Sequence, residues 1–174
     1  MHERILVAYA SKHGATAEIA EAIAETLRAS GVEVDLTRAR DVRSVEPYAA
    51  VVLGSAVYMA RWRGEALRLL HRRRRQLADR ELWLFSSGPV GEQPTDGAKA
   101  ERWIKPTKVQ RLAVELGAND HAVFGGSLAG DHGGMLRRNM AKGTPEALRD
   151  LRDWDDIRAW AEGIAAAVKA STAV

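Results

Sequence analysis

Three short stretches of this sequence combine glycine with hydroxyl side chains, and they are its candidates for binding chemistry. They lie at residues 11–16, 54–59 and 86–91, and each follows a short apolar run. Glycine lets a backbone approach a ligand closely, and serine and threonine hydroxyls both donate and accept hydrogen bonds. A fold that brings the three stretches together would therefore build one site for a polar ligand.

The first stretch, Ser-Lys-His-Gly-Ala-Thr, opens a predicted helix and suits a phosphate group. Helix N-termini carry unpaired N–H groups and a partial positive charge. Ser11 and Thr16 contribute hydroxyls, Lys12 contributes a charge, and Gly14 allows close approach. The stretch matches neither the P-loop nor the dinucleotide fingerprint. An ordinary turn between a strand and a helix, with a threonine cap, remains the alternative interpretation.

Alternating strands and helices must position these stretches. The predicted strands are Ile5–Ala10, Val32–Thr37, Ala49–Gly54, Leu82–Ser86 and His121–Ser127. The predicted helices cover residues 16–30, about 64–78, 106–116 and 153 onwards, with short helices near 136–142 and 146–151. Strands separated by helices indicate a parallel sheet covered on both faces. Because ligands of such sheets bind beyond the carboxyl ends of the strands, we expect the three stretches to meet there.

The composition restricts the class of protein. A chain of 174 residues with 46% hydrophobic residues fits one folded domain over residues 1–174. The absence of cysteine excludes disulfides, thiolate zinc sites, iron–sulfur clusters and a cysteine nucleophile. The five histidines show no metal-ligand spacing, and we expect them at the surface or in turns. The sequence predicts neither a membrane-spanning helix nor a signal peptide, which favours a cytoplasmic protein.

Two enzyme or signalling alternatives lack the residues that they need. A phosphoacceptor receiver domain requires an acidic pair after the first strand and an aspartate after the third. This chain has Tyr9-Ala10-Ser11 and Gly54-Ser55 at those places. A serine hydrolase requires a G-x-S-x-G elbow, which does not occur in the sequence.

The positive charge of the chain is concentrated in one segment. Residues 61–80 hold eight arginines against Glu65 and Asp79, a net +6, so the rest of the chain carries −3 of the total +3. A run of four, Arg72, Arg73, Arg74 and Arg75, lies within a predicted helix. A solvated helix face is one interpretation, with Arg74 close enough to the apolar stripe to snorkel. An anionic membrane surface or an acidic partner is the other, while the lack of an aromatic platform argues against nucleic acid.

The apolar strand, the motif Ser-x-His-Gly-x-Thr and the following helix resemble the phosphate loop of flavodoxins, whose usual form is [ST]-x-T-G-x-T. His13 stands where that family usually has a hydroxyl residue, and its imidazole N–H can still donate. The resemblance implies a flavodoxin-like three-layer doubly wound α/β sandwich, with a five-stranded parallel sheet in the order 2-1-3-4-5. It also implies one non-covalently bound FMN.

The same resemblance assigns the cofactor-binding residues. They are Ser11, Lys12, His13, Gly14, Ala15 and Thr16 for the phosphate, and Ser55, Ala56, Val57, Tyr58, Met59, Ser86, Ser87, Gly88, Pro89, Val90 and Gly91 for the flavin ring. Tyr58 is the first candidate for stacking on the ring, and Trp62 is the second. Val90 replaces a residue that is often aromatic in flavodoxins, which leaves room for a substrate on that side. Because the flavin carries the redox chemistry, no catalytic acid or base is assigned.

A closer resemblance links the chain to the flavodoxin-type, menaquinone-dependent protoporphyrinogen IX dehydrogenases. It rests on ILVAYASKHGATAEIAEAIAETL, on GSAVYM, on an extra segment at about 128–152 and on the Asp153-Trp154-Asp155-Asp156-Ile157 that precedes the last helix. It implies oxidation of a porphyrinogen, a quinone as electron acceptor and a peripheral location at the inner face of the membrane. The segment 128–152 is shorter and less apolar than a membrane-docking insertion would be.

Two other functions remain open on the same fold. One is an electron carrier between redox partner proteins, although the basic segment departs from the acidic character of usual flavodoxin carriers. The other is a binding module that has lost its flavin. A homodimer is compatible with either function.

Overall fold

A computed structural model describes residues 4–88, 105–128 and 135–173, in which strands and helices alternate. The strands are β1 (Arg4–Ala10), β2 (Glu33–Arg38), β3 (Ala50–Tyr58), β4 (Arg61–Trp62), β5 (Glu81–Ser87) and β6 (Asp120–Phe124). The α-helices are α1 (Ala15–Ala29), α2 (Gly64–Arg72), α3 (Arg74–Ala78), α4 (Thr107–Glu115), α5 (Met135–Gly143) and α6 (Trp154–Thr172). Short 3-10 turns occur at Ala39–Asp41 and Glu146–Leu148.

The main sheet is parallel and has the strand order β2-β1-β3-β5-β6. The predicted order 2-1-3-4-5 is confirmed, because it is the same arrangement once the two-residue β4 is left out of the numbering. β4, which the sequence pattern did not reveal, pairs antiparallel with β3 and lies off the main path.

Alternate residues of β1 pack against opposite helical layers. Ile5 and Val7 join the cluster that includes the buried faces of α1 and α6. Leu6 and Ala8 join the cluster formed with α2, α3 and α4. Because burying an aliphatic side chain contributes about 1.5–3 kcal/mol, both layers stabilise the sheet. The predicted three-layer sandwich is therefore confirmed.

Gly54 is a glycine that packing requires. It lies beside Phe85 of β5, and a Cβ at this position would lie 1.9 Å from Phe85 Cζ. The Phe85 ring, which is fully buried, occupies the space that any larger residue at position 54 would need. Gly54 therefore lets the Phe85 ring of β5 pack directly over β3, and it is part of a central strand and not of a flexible loop.

Strand β3 extends further than its sequence predicted. It was expected to end at Gly54, but it continues to Tyr58 because its last two residues pair with β4, which turns back antiparallel. Ser55, Ala56, Val57 and Tyr58 therefore lie in a strand, where a loop was predicted.

The basic helix predicted over residues 64–78 is divided into α2 and α3 at Arg73. The backbone there leaves helical geometry, with φ −108° and ψ 14°. Arg72, Arg74 and Arg75 are exposed, which is compatible with a solvated helix face and with a surface that binds an anionic partner. Arg74 forms an ion pair with Glu115 of α4.

Strand β6 ends earlier than predicted, at Phe124 and not at Ser127. Beyond it the chain pairs with the segment before α6: Ser127 and Asp150 form an antiparallel bridge, and Leu151 N–H donates to Gly126 O at 3.0 Å. This pairing is extended, which is why the helix predicted at residues 146–151 is reduced to the 3-10 turn Glu146–Leu148.

Helix α6 begins as its sequence predicted. Asp153 Oδ1 accepts hydrogen bonds from the N–H groups of Asp155 and Asp156, both at 3.1 Å. Its predicted apolar face is buried at Ile157, Ala161, Ile164 and Val168 and half-buried at Trp160. Among the described residues, no helix is both long enough and apolar enough to cross a membrane.

Candidate functional site

The turn between β1 and α1 leaves backbone donors open. Gly14 adopts the left-handed conformation, with φ 95°, and no side chain caps the helix. The first backbone hydrogen bond of α1 runs from Glu18 N to Gly14 O at 3.0 Å, so the preceding N–H groups have no acceptor within the helix. Ser11 Oγ accepts the Gly14 N–H at 3.0 Å, which fixes the turn. Lys12 is exposed and the side chain of Thr16 is buried.

A tight hairpin follows β3. Its two turn residues, Met59 and Ala60, have φ of 49° and 57°, as the central residues of a type I′ turn do. Non-glycine residues in this conformation cost about 1–2 kcal/mol each, so the β3–β4 pairing must hold the turn. Met59 is 83% exposed and Tyr58 is 44% exposed. The hairpin thus presents an apolar tip to solvent.

Ser55 stabilises this hairpin from inside. It is fully buried, and its Oγ accepts the N–H of Arg63 at 3.0 Å and donates to Ala56 O at 2.9 Å. The hydroxyl predicted to lie near a ligand is therefore engaged within the fold. Ser55 can reach a ligand at this edge only through its backbone.

A buried polar network supports the hairpin from β5 and β6. Trp62 Nε1–H donates to Ser86 Oγ at 2.8 Å, and Ser86 Oγ lies 2.9 Å from His121 Nε2. The His121 ring also meets the Trp62 ring edge to face, with centroids 5.7 Å apart. Trp62 is only 4% exposed, so its prediction as the second stacking residue is wrong: the indole is already packed in the core.

His121 is a functional candidate that sequence reasoning missed. It was expected at the surface or in a turn, but it is half-buried within β6. Burial lowers its pKa to about 4, and the positive charge of Lys105 adds to the lowering. The imidazole is therefore neutral near pH 7, and its Nε2 shares a hydrogen bond with the Ser86 hydroxyl, whose direction is set by the histidine tautomer. Its position at the start of the predicted fifth strand was the signal available in the sequence.

The end of β5 approaches the base of the hairpin. Gly88 has φ +116°, and its N–H donates to Phe124 O at 3.1 Å. A Cβ on Gly88 would lie 3.5 Å from Val57 O, so this turn passes directly beside β3. Ser87, which precedes it, is 4% exposed. Pro89, Val90 and Gly91, the last predicted ring-binding residues, lie outside the described part of the chain.

The three stretches converge at the carboxyl edge of the sheet. Ala10 lies beside Ser55, and Ser55 lies beside Ser86. The His13 ring meets the Tyr58 ring edge to face at 6.2 Å between centroids, which joins the first turn to the hairpin. In the described residues no group of three or more histidine, aspartate or glutamate side chains could hold a metal ion. The edge therefore offers backbone N–H groups, one exposed aromatic ring and two glycine turns.

This strand order, with a glycine turn before α1 at the point where the order reverses, defines a doubly wound α/β protein with a ligand site at its switch point. A family model described as a flavodoxin domain matches residues 6–144, so the chain belongs to the flavodoxin domain family. Comparison with the curated proteins gave no match.

Solved structures agree with this assignment. A flavodoxin from the domain Archaea is 16% identical with a TM-score of 0.63, covering 95% of this chain and 99% of its own. Flavodoxin 2 from Bacillus cereus is 25% identical with a TM-score of 0.55, covering 80% of this chain and 95% of its own. Rubredoxin oxygen:oxidoreductase from Desulfovibrio gigas is 17% identical with a TM-score of 0.66, covering 99% of this chain. The match spans 37% of that larger protein.

Family membership indicates FMN as the cofactor, and the residues present fit it. The left-handed Gly14 and the uncapped start of α1 offer backbone donors of the kind that bind phosphate. The half-exposed Tyr58 ring and the glycine turn at Gly88 supply an aromatic face and a close backbone approach at the neighbouring strand ends. No acidic residue lies within the turn at 11–16 to repel a phosphate.

Proposed function

We propose that the protein binds FMN at this edge and uses it to oxidise a porphyrinogen and reduce a quinone. The observation that carries the FMN part is the convergence of three turns there, with Gly14, Tyr58 and Gly88 at neighbouring strand ends. The finer activity is supported by the resemblance of residues 5–27, the GSAVYM stretch and the start of α6 to the menaquinone-dependent protoporphyrinogen IX dehydrogenases.

In this proposal the phosphate lies at the turn before α1. The N–H groups of Ala15 and Thr16 bind phosphate oxygens, and Lys12, which is exposed, adds a positive charge. His13 donates an imidazole N–H in place of the usual hydroxyl. Ser11 holds Gly14 in position through its oxygen, and its O–H group donates to the phosphate.

The flavin ring lies between the hairpin and the turn after β5. Tyr58, whose ring is 44% exposed, stacks on it. Residues 55–59 and 86–91 contact the ring through their backbone, since the hydroxyls of Ser55 and Ser86 are engaged inside the protein. Val90, which lies outside the described residues, leaves the far side of the ring open to a substrate.

The bound cofactor supplies two-electron chemistry, taking hydrogen from a donor and returning electrons to an acceptor. A porphyrinogen loses hydrogens in pairs as it becomes a porphyrin, and each pair reduces one quinone to its quinol. The protein contributes the phosphate anchor at α1, the stacking surface of Tyr58 and an opening for the substrate. No side chain is assigned as an acid or base.

The exposed arginines of α2 and α3 suit a peripheral location at the inner face of a membrane, where a quinone is found. Arg72 and Arg75 project to solvent, and cationic side chains near an anionic bilayer are attracted to it. Co-sedimentation with anionic vesicles tests this: glutamine at Arg72 and Arg75 should reduce binding, and glutamine at Arg158 and Lys169 of α6 should not. Equal loss in both variants, or none, would contradict the membrane role. A homodimer, tested by light scattering, is a further part of this proposal.

FMN binding is tested by titrating the apoprotein with FMN and with riboflavin while following flavin fluorescence. The fluorescence of FMN should be quenched on binding, and FMN should bind more tightly than riboflavin, because only FMN carries a phosphate for the turn before α1. A colourless protein that takes up no FMN would instead identify a flavin-free binding module.

Porphyrinogen oxidation is tested anaerobically with the FMN-loaded protein, a porphyrinogen and a menaquinone analogue. Porphyrin should appear only when the quinone is present, with one quinol formed for each pair of hydrogens lost. Rescue of a strain that lacks its own porphyrinogen oxidase would support the same activity in cells.

An electron carrier between proteins is the second candidate. It is favoured by the likeness to whole flavodoxins, since the archaeal structure covers 95% of this chain. In that case the reduced protein would transfer electrons to a redox partner protein, and the porphyrinogen would remain unchanged in the anaerobic assay.

A further inference from the structure

The hairpin places an arginine beside the exposed aromatic ring of the site. Tyr58 and Arg61 are direct partners in the β3–β4 pairing. Side chains of directly opposed residues in an antiparallel pair project from the same face, with Cβ atoms about 4.5–5.5 Å apart. Arg61 is exposed, so its guanidinium is available to solvent on the face that carries Tyr58.

A second cation belongs to the segment that meets this face. The His13 ring contacts the Tyr58 ring, and Lys12, the preceding residue, is exposed. Across residues 4–88, 105–128 and 135–173, no ion pair involves Lys12 or Arg61. Among the described residues, Arg61 is therefore left without a carboxylate at the rim of the site, whereas the charge of Lys12 is assigned to the phosphate.

Acidic side chains that follow the same strand ends are already paired with other arginines. Glu65, just after β4, binds Arg63 at 3.2 Å. Glu18, in the first turns of α1, forms an ion pair with Arg152, whose side chain is 8% exposed. Each of these carboxylates is therefore already partly neutralised by another arginine.

We propose that Arg61 binds a carboxylate of an anionic redox substrate at the rim of the flavin site. Guanidinium groups bind carboxylates through two parallel hydrogen bonds. Met59, which is 83% exposed at the hairpin tip, offers an apolar contact for the body of the same molecule. The inference rests on the proposed function, because it identifies the substrate as an apolar ring system that carries carboxylate side chains. An uncharged quinone would not use Arg61.

The first experiment does not depend on turnover. Hexacyanochromate(III), an inert paramagnetic trianion, is added to the FMN-loaded protein, and broadening of amide NMR signals maps where it binds. Signals of residues 11–13 and 58–62 should broaden in the natural chain and be spared in Arg61→Gln. The control Arg111→Gln removes an exposed arginine of α4 and should leave the broadening at 58–62 intact. Broadening that is unaffected by Arg61→Gln would overturn the proposal.

The second experiment compares a porphyrinogen that carries free carboxylates with its uncharged methyl ester. Arg61→Gln should raise KM for the free acid about tenfold, as expected when a charge-assisted hydrogen bond is lost, and leave KM for the ester unchanged. The affinity for FMN should stay within about twofold, because an exposed rim arginine adds little to cofactor binding in this arrangement. Equal changes for acid and ester would overturn the carboxylate role.

The two experiments separate this inference from the proposed function. In one outcome the protein binds the trianion through Arg61 but oxidises neither the free-acid porphyrinogen nor its ester. That result refutes the proposed function and the substrate assignment, while the anion subsite at Arg61 stands. A protein that oxidises acid and ester equally well, with no Arg61-dependent anion binding, refutes the inference and keeps the function. If binding of an acidic partner protein required Arg61 while KM for the free-acid porphyrinogen did not change in Arg61→Gln, the assignment to a small substrate would also be overturned.

Discussion

The turn before α1 and the hairpin after β3 serve the same edge by opposite means. The turn uses a glycine, Gly14, for its left-handed residue and leaves backbone N–H groups open. The hairpin places Met59 and Ala60 in that conformation, and the hydroxyl of Ser55 satisfies backbone groups within it. The turn is therefore suited to bind with its backbone. The hairpin, whose buried hydroxyl is committed to its own structure, adds the exposed side chains of Tyr58 and Met59 to its backbone.

The difference also shows in what holds each element. The turn is held locally by the short-range hydrogen bond from Gly14 N–H to Ser11 Oγ. The hairpin depends on Trp62, which is buried and hydrogen-bonded to Ser86 on another strand. A substitution in the core beneath the hairpin should therefore destabilise the hairpin more than a substitution in the turn destabilises α1.

The largest effect is expected from Trp62→Ala. Removing a buried indole should lower the free energy of unfolding by about 3–5 kcal/mol, since it leaves a cavity and removes the N–H that donates to Ser86 Oγ. Urea unfolding followed by circular dichroism measures it. Trp62→Phe, which keeps most of the burial and loses only the N–H donor, should cost about 1–2 kcal/mol. A loss below about 1 kcal/mol for Trp62→Ala would contradict the supporting role of the indole.

The second effect is a pH dependence from His121. Its pKa of about 4 in the folded protein lies below the ordinary 6.5, so the unfolded chain takes up the proton more readily. Its contribution is fully present above pH 6.5 and is lost as the pH falls toward 4, with a slope approaching about 1.4 kcal/mol per pH unit. His121→Gln should remove this part of the slope in urea unfolding between pH 6.5 and 4.

The exposed His71 of α2 provides the matched control. His71→Gln should leave the slope unchanged. Hydrogen bonds from Arg152 lower the pKa of Asp150 below its ordinary 3.8, so that carboxyl affects stability only below this window. An equal slope in the natural chain and in His121→Gln would show that the imidazole is not held neutral by its surroundings.

A smaller effect is expected from Gly14→Ala. A Cβ at φ 95° should cost about 1–2 kcal/mol of stability and weaken FMN binding, measured by fluorescence quenching. Gly31→Ala is the control, because Gly31 has φ +83°, open space around it and a position at the other end of α1. It should cost similar stability and leave FMN affinity unchanged. Equal weakening of FMN binding in both variants would remove the special role of the turn.

The smallest effect is a gain. Replacing Met59-Ala60 by Asn-Gly supplies the residues that a type I′ turn prefers and should raise the free energy of unfolding by about 1 kcal/mol. Thermal unfolding measures the gain. A loss of stability would mean that the exposed methionine contributes a contact that outweighs the strain of its backbone.

Much of the fold was readable from the sequence, and the departures have local causes. Apolar runs such as Ile5–Ala10 marked the buried parallel strands, because both faces of such strands are covered. Asp153 marked the start of α6, because a helix cap depends on neighbouring residues alone. The extension of β3 was not readable, since it depends on pairing with Arg61 and Trp62 across a turn that lacks the usual glycine or asparagine.

The candidate site was readable in part for the same reason. The turn at 11–16 has a local pattern, so its glycine and hydroxyls could be assigned as a unit. The sequence assigned three further residues to a ligand: Ser55, Ser86 and Trp62. Their side chains instead contact other buried groups. Trp62 and Ser86, which are hydrogen-bonded to each other, lie 24 residues apart along the chain. His121 joins them from 35 residues beyond Ser86, and no local pattern announces such a contact.

The sequence by itself determined the parallel strands and the glycine turn that opens α1, because these depend on apolar periodicity and on the conformations that each residue allows. The order of the strands came from the resemblance to flavodoxins. Only the tertiary structure decided which polar side chains remain available at the edge. Ser55, Ser86 and Trp62 are used to hold the hairpin, whereas Tyr58 and Arg61 are left facing solvent. The physical reason is that a buried polar group must find a partner within the protein, and that partner is set by the packing of distant segments.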